Sequence, residues 1–412
     1  MAFRPTETYS QIIELHGHLI DSNILSQVLD TIMDHQAEFE FQEFNVGKRK
    51  HDPSSTRIQL IAESREQLDT LIREVTRLGA TLPETPEIEY MEAPGDMMLP
   101  DDFYCTTNHE TMVYIQGEWI KVENQMMDKH IIVDLEKKTA YCKPIAEVKK
   151  GDLVVVGQRG VKVKHPERPR EGVGVFEFMN SDVSPEKPAT SIIREVARSI
   201  KERAGNGGKI VVVAGPAVIH TGGAPHLAEL VELGYVDSLL SGNALAVHDI
   251  ERALYGTSLG VNLENIKVQN PRNHIAAINQ VLKAGSIKAL VENGKLKKGI
   301  FYQLTKHNVP YVLAGSIRDD GPIPEVIKCS DEAQRQYRKQ VKDADYVIML
   351  ASTLHSIAVG NMLPSRVKTI CVDINPAVVT KLSDRGTSQA VGIVTDVGTF
   401  LPLLVNELKN SL

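Results

Sequence analysis

From residue 209 to the end of the chain, short apolar runs alternate with stretches whose apolar residues recur at helical spacing. The runs are 209–214, 236–240, 309–314, 346–350, 369–372 and 391–394, and the intervening helical stretches include 224–233, 243–254, 273–284 and 331–343. A run with no polar alternation suits a strand buried on both faces, and helices between such strands impose parallel pairing. The expectation is therefore a doubly wound, mostly parallel α/β sheet of the Rossmann-like class. Ligands of such sheets sit beyond the carboxyl ends of the strands, where the strand order reverses.

Those carboxyl ends are rich in polar residues and glycine. Strand one runs into Gly215-Pro-Ala-Val-Ile-His-Thr-Gly-Gly223, and strand two into Ser241-Gly-Asn-Ala244. Strand three ends in Gly315-Ser-Ile-Arg-Asp-Asp-Gly321, strand four in Ala351-Ser-Thr-Leu-His355, strand five in Asp373 and strand six in Thr395-Asp-Val397. Ser352 or Thr353 offers a hydroxyl where a helix begins, leaving amide N–H groups facing outward. Asp373, at a strand tip, suits a ribose diol. A nucleotide cofactor is the expectation, set against the plainer reading that these residues cap a helix and start a turn. No Gly-x-Gly-x-x-Gly follows strand one, so a pyrophosphate would be held differently from an ordinary dehydrogenase.

The N-terminal part reads differently. Residues 8–80 follow a strand–helix–strand–strand–helix order, with an alternating Glu38-Phe-Glu-Phe-Gln-Glu-Phe44, and predict a ferredoxin-like α+β unit. The acidic, proline-containing stretch 81–100 reads as a linker, and residues 103–178 as a small β-rich domain. The expected domains are 1–100, 101–185 and 186–412. Within the β-rich part, Thr106-Thr-Asn-His109 and His165-Pro-Glu-Arg-Pro-Arg170 are more polar than folding requires, although each would also serve as a solvated loop.

At 412 residues the chain is long enough for two or three domains. Its net charge of -7 argues against nucleic acid as a partner. Four scattered cysteines without a Cys-x-x-Cys pair fit a reducing compartment and give no support for a metal. The first residues carry no apolar signal core and no run is long enough to span a bilayer, so a cytoplasmic protein with no membrane partner is expected. Two motifs are set aside. Gly256-Thr-Ser-Leu-Gly260 has the esterase spacing but follows a helix, and His220 with His226 lacks a third ligand.

The stretches SGNALAVHDIE, LAGSIRDDGPIPEV, STLHSIAVGNMLPS, CVDINPAVVTKL and GIVTDVG, with TTNHET and Pro-Glu-Arg-Pro-Arg, resemble one family over nearly the whole chain. It is the family named for the conserved region shared with lysine-ketoglutarate reductase/saccharopine dehydrogenase. The cofactor domain also resembles that of deoxyhypusine synthase. The family resemblance implies an NAD-dependent ornithine cyclodeaminase, and NAD contacts at Asn243, Ala244, one of Asp319 or Asp320, Ser352, Thr353, Leu354, His355, Asp373, Asp396 and Val397.

Conversion of ornithine to proline and ammonia through NAD requires the protein to orient an amino acid and to move protons between amines. Candidates for the carboxylate are Arg168, Arg170 and Asn108. His355, His109 and His274 are candidates for proton transfer, and Asp320 for pairing with a substrate ammonium. Each has a plainer alternative, such as a cofactor hydrogen bond or a domain-interface pair. A homo-oligomer is expected. Three other classes fit the same residues: a net amino-acid dehydrogenase or saccharopine-type reductase, a non-catalytic NAD or amino-acid sensor, and a transferase of the deoxyhypusine type.

Overall fold

The computed structural model describes residues 8–20, 23–49, 52–83, 87–164, 189–259, 261–262, 272–319, 321–384 and 390–410. The chain divides into two compact units, Met1–Val173 and Gly174–Leu412.

The first unit opens with β1 (Tyr9–Gly17), α1 (Ile24–Asp34), β2 (Glu38–Asn45), β3 (Ser54–Ala62) and α2 (Arg65–Arg77). The sheet order is β1-β3-β2 with both outer strands antiparallel to β3, so β1 and β2 run parallel across it. This is the ferredoxin-like arrangement read from the sequence. On β3 every second residue is buried, from Ser54 through Ile58 and Leu60 to Ala62, which sets its register against the helices. The strand that would close the outer edge of β1 is reduced to one bridge, in which Glu14 and Thr81 exchange backbone hydrogen bonds of 2.7 and 2.8 Å.

The β-rich part is a second sheet of seven strands: β4 (Glu89–Glu92), β5 (Glu110–Ile115), β6 (Glu118–Glu123), β7 (His130–Asp134), β8 (Thr139–Lys143), β9 (Leu153–Val156) and β10 (Val161–Lys164). Its order is β10-β5-β6-β8-β7-β9-β4. The stretch 81–100 therefore carries structure where the sequence suggested a linker. β4 pairs antiparallel with β9 at the sheet edge, and all four of its residues are exposed, which explains its polar composition. Residues 165–188, with Arg168 and Arg170, lie outside the described residues.

The second unit contains α3 (Ala189–Gly205), β11 (Lys209–Ala214), α4 (Ala217–His220), α5 (Ala224–Glu232), β12 (Ser238–Gly242) and α6 (Asn243–Tyr255). A hairpin of β13 (Thr257–Ser258) and β14 (Val261–Asn262) follows, then α7 (Asn273–Ala284), α8 (Ile287–Glu292), α9 (Ile300–Lys306), β15 (Tyr311–Ala314) and β16 (Val326–Ile327). The chain ends with α10 (Ser330–Val341), β17 (Ala344–Leu350), α11 (Thr353–Gly360), β18 (Lys368–Asp373), α12 (Pro376–Asp384), β19 (Ala390–Val394) and α13 (Val397–Asn410).

The described sheet is wholly parallel, in the order β16-β15-β12-β11-β17-β18-β19. Leaving aside the two-residue β16, this is the 3-2-1-4-5-6 order of a dinucleotide-binding fold, with its reversal between β11 and β17. Both faces of the sheet are covered. Ile210, Val212 and Ala214 of β11 join Tyr346, Ile348 and Leu350 of β17 in one core, and Val211, Val213, Val347 and Met349 form the other. Burying each of these larger aliphatic side chains stabilises the fold by roughly 1.5–3 kcal/mol. That is why the strands read as unbroken apolar runs.

Candidate functional site

The crevice at the reversal of strand order is built from backbone held at unusually short range. The amide of Gly215, just past β11, donates to the Leu350 carbonyl at 2.9 Å. A β-carbon on Gly215 would lie 2.0 Å from the Ala351 carbonyl oxygen, so this position requires glycine. Ala351 itself has φ +45, a left-handed conformation costing a non-glycine residue roughly 1–2 kcal/mol. Its amide is held by the Val372 carbonyl at 2.9 Å. Strand tips β11, β17 and β18 are thereby locked together at one point.

Around that point stand the residues singled out from the sequence. Ser352 is the N-cap of α11, but its hydroxyl makes no cap bond; it is hydrogen-bonded instead to Nδ1 of His355 at 3.1 Å. The first-turn amides of α11 therefore have no side-chain acceptor from their own cap, as an anion site at a helix N-terminus needs. Thr353 and Leu354 are exposed. His355 lies over Gly242, whose added β-carbon would meet Cε1 at 3.0 Å and Nε2 at 3.1 Å. Burial holds its pKa below the ordinary imidazole value, opposed by Asp319, so the ring is neutral near pH 7.

Asn243 opens α6, is buried, and accepts the Ile323 amide through Oδ1 at 3.2 Å, tying the tip of β12 to the loop beyond β15. Ala244 follows in the same first turn, half-buried. Asp319 bonds back to the Ser316 amide at 2.8 Å, and Asp320 lies outside the described residues. Asp373 ends β18, is 8% exposed, and accepts the Asn375 amide on Oδ1 at 2.8 Å. Asp396 accepts the Gly398 amide at 2.6 Å, which caps α13, and Val397 is buried beneath it. Three exposed apolar side chains lie beyond the strand tips: Ile317 and Ile374 on the loops after β15 and β18, and Leu354 in the first turn of α11 after β17. Flat rings of a bound nucleotide would find apolar surface there.

Asn108 and His109 belong to the first unit. Asn108 is 2% exposed, and neighbouring Thr106 is fully buried with its hydroxyl on the Met126 carbonyl at 2.6 Å. TTNHET is thus packed structure and not a solvated loop. His274 is half-buried in the first turn of α7.

Some residues escaped the sequence reading. Tyr337 of α10 donates to the Ser241 carbonyl at 2.5 Å from beneath β12, where only a lone tyrosine on a polar helix marked it. A second polar cluster joins His220, His248, Glu251, Thr257 and Ser258; the sequence reading met His220 and the Gly256–Gly260 motif separately and set both aside, and nothing in it joined them to His248 and Glu251. Among the described residues no group of three or more His, Cys, Asp or Glu is placed to hold a metal, and no helix is long and apolar enough to cross a membrane.

The strand order, the glycine-lined reversal point and an acid at the tip of β18 define a dinucleotide-binding protein of the Rossmann class. Comparison with known sequences narrows this. Residues 194–404 match the model described as arginine dihydrolase ArgZ-like, C-terminal, Rossmann fold. Residues 110–193 match the first region of the same C-terminal part, and 10–109 the LOR/SDH bifunctional enzyme conserved region. The chain belongs to this ArgZ-like C-terminal, LOR/SDH-type family. An ornithine cyclodeaminase of Methanothermobacter thermautotrophicus is 57% identical over 96% of this chain and 97% of its own length. Among solved structures, apo ArgZ, an arginine dihydrolase from the cyanobacterial ornithine-ammonia cycle, is 40% identical with a TM-score of 0.87, covering 100% of this chain and 60% of its own. The ternary complex of AgrE with ornithine and NAD+ is 41% identical with a TM-score of 0.54, covering 98% of this chain and 58% of its own.

Proposed function

We propose that this protein is an NAD-dependent ornithine cyclodeaminase, converting L-ornithine to L-proline and ammonia. The observation that carries the reading is the position of Asp373 at the tip of β18, beside the glycine-lined reversal point, in a chain whose relative binds ornithine with NAD+. When bound, NAD+ supplies an acceptor that takes the α-hydride and returns it to the same carbon, so the reaction shows no net oxidation.

The chain's own residues do the rest. Asp373, whose Oδ1 accepts the Asn375 amide, would accept hydrogen bonds from a ribose diol and would repel a 2′-phosphate. The amides opening α11 would hold the pyrophosphate, and Asn243 and Asp396 hold the loops on either side. Ala244, Thr353, Leu354 and Val397 contribute surface and backbone to the same crevice. His355, kept neutral, hydrogen-bonds the cofactor or accepts a proton beside it. Asn108 and His109 are assigned to the substrate's recognition, and Asp320 to its ammonium.

In this reading residues 186–412 hold the cofactor, 101–185 contribute substrate-side groups and 1–100 are accessory. The enzyme is a cytoplasmic homo-oligomer. The four free cysteines support a reducing compartment, and Phe41 and Phe44, each 44% exposed on the edge strand β2, support self-association.

Ornithine deuterated at the α-carbon tests the function directly. Label should appear at C2 of proline, ammonia should form one-for-one with proline, and no NADH should accumulate. NADH rising in step with ornithine loss would mean a net dehydrogenase.

A further inference from the structure

The Gly215–Gly223 segment after β11 is anchored at both ends to the loops assigned above to the cofactor. At its start, Gly215 abuts Ala351 and Ser352. At its far end, the Thr221 carbonyl would lie 2.1 Å from a β-carbon on Gly398, and a β-carbon on Gly223 would stand 3.5 Å from the Val397 carbonyl. Between these anchors is His220, the last residue of α4, with its side chain open to solvent.

Behind His220 lies a buried polar cluster. Its Nδ1 is 2.7 Å from the hydroxyl of Ser258, which is 3% exposed in β13. The ring of His248 lies 5.0 Å from that of His220, at 56°. His248 Nδ1 meets Glu251 at 3.1 Å, one turn further along α6. Fully buried Glu251 also accepts the Thr257 hydroxyl and the Leu259 amide, both at 2.9 Å, and Asn273 donates to Thr257 at 2.9 Å. A buried carboxylate bonded to a histidine costs folding energy that an apolar cluster would not. The member of this cluster that reaches solvent is His220.

We propose that His220, oriented by Ser258, carries the proton between the two amines of the substrate. The inference rests on the ornithine cyclodeaminase reading above. Once the α-carbon is at the imine level, the δ-ammonium must lose a proton before its nitrogen can form the new N–C bond. The bond from the α-carbon to the original amine then breaks, and that nitrogen leaves as ammonia after receiving a proton. After the N–C bond forms, the δ-nitrogen gives up a second proton so that its lone pair can expel the original amine. One group that passes both protons in turn to the departing nitrogen takes it from imine NH to NH3 and closes the balance, with no net electrons moved.

The chemistry needs an imidazole that is neutral at working pH. Burial of one face, then the neighbouring His248, holds His220 below its ordinary pKa, with Glu251 opposing. A serine nucleophile is the other chemistry a Ser–His pair allows. Ser258 is closed to solvent, however, and Glu251 bonds His248 instead of His220, so among the described residues no Ser–His–acid chain runs from Ser258.

The test uses the full-length protein, its His220→Gln and Ser258→Ala variants, and two readouts besides turnover: NAD+ affinity by titration and the His220 imidazole titration by NMR without cofactor. In His220→Gln, kcat should fall about 100-fold or more while KM and NAD+ affinity stay within about twofold. In Ser258→Ala, kcat should fall about tenfold, and the acid limb of kcat/KM should shift together with the imidazole titration. Wild-type-like kcat in His220→Gln overturns the inference and leaves the ornithine reading standing, as does an acid limb that ignores the imidazole. A wild type that binds NAD+ but forms no proline overturns the ornithine reading and this inference with it.

Discussion

The imidazole of His355 rests against the α-carbon of Gly242: a β-carbon there would stand 3.0 Å from Cε1 and 3.1 Å from Nε2. The tip of β12 and the first turn of α11 thus meet across β11, and a β-carbon at Gly242 would press the ring back by a few tenths of an ångström. Ser352 ties the other side of the ring at 3.1 Å, so the imidazole has one seat.

Gly242→Ala should displace that ring. Gly242 has φ -114 and ψ 177, which any residue adopts, so the cost falls on the contact and not on the backbone. NAD+ affinity measured calorimetrically should drop about tenfold, near 1.4 kcal/mol, with little change in Tm. Unchanged affinity would show that His355 moves aside freely and does not define the cofactor's seat.

Asp373→Ala removes the carboxylate at the tip of β18. Hydrogen bonds to a charged acceptor contribute roughly 1.5–3 kcal/mol, so NAD+ binding should weaken by about one to two orders of magnitude. The discrimination against NADP+ should relax at the same time. Equal affinity of the unmodified protein for both cofactors would remove Asp373 from this role.

Asn108→Ala addresses the substrate side. Turnover of ornithine should fall while NAD+ affinity stays nearly unchanged. Because Asn108 is 2% exposed, a melting curve must accompany the kinetics. Full activity in a folded variant would make TTNHET purely structural.

Asp249 predicts a pH dependence of stability. It is fully buried, and burial raises its pKa to about 6 even though the Phe301 and Ile300 amides, at the start of α9, donate to it. A carboxyl whose folded pKa lies above its unfolded value of 3.8 stabilises the fold fully below that value. The contribution is lost as pH rises through about 6, and amounts to roughly 3 kcal/mol. Asp249→Asn should therefore lessen the loss of stability between about pH 4 and pH 7, measured by chemical denaturation. Parallel curves for variant and wild type would contradict this.

Much of the cofactor half was legible in the chain. A strand buried on both faces must be apolar throughout, so β11, β17 and β18 announced themselves, and the residue after each run had to lie at a strand tip. Elements without a period were invisible: β16 and the β13–β14 hairpin are two residues per strand, and β4 is exposed at an edge. The hydroxyl of Ser352 shows a finer limit. Its place at the start of α11 was readable, but its bond to His355 in preference to a backbone amide depends on rotamers within the fold.

The sequence by itself determined the longer strands and helices of the cofactor half, and that polar chemistry gathers at one end of its sheet. Those features are carried by residues within a few positions of one another. The tertiary structure alone decided the order 3-2-1-4-5-6, the contact of Gly215 with Ala351, and the pairing of His220 with Ser258. Taken singly, the histidine looked like an incomplete metal site and the serine like a misplaced esterase motif. They are joined because α4 and α6 pack side by side, a consequence of β11 and β12 being neighbours. Contacts of that kind depend on how distant strands pair, and no local period records it.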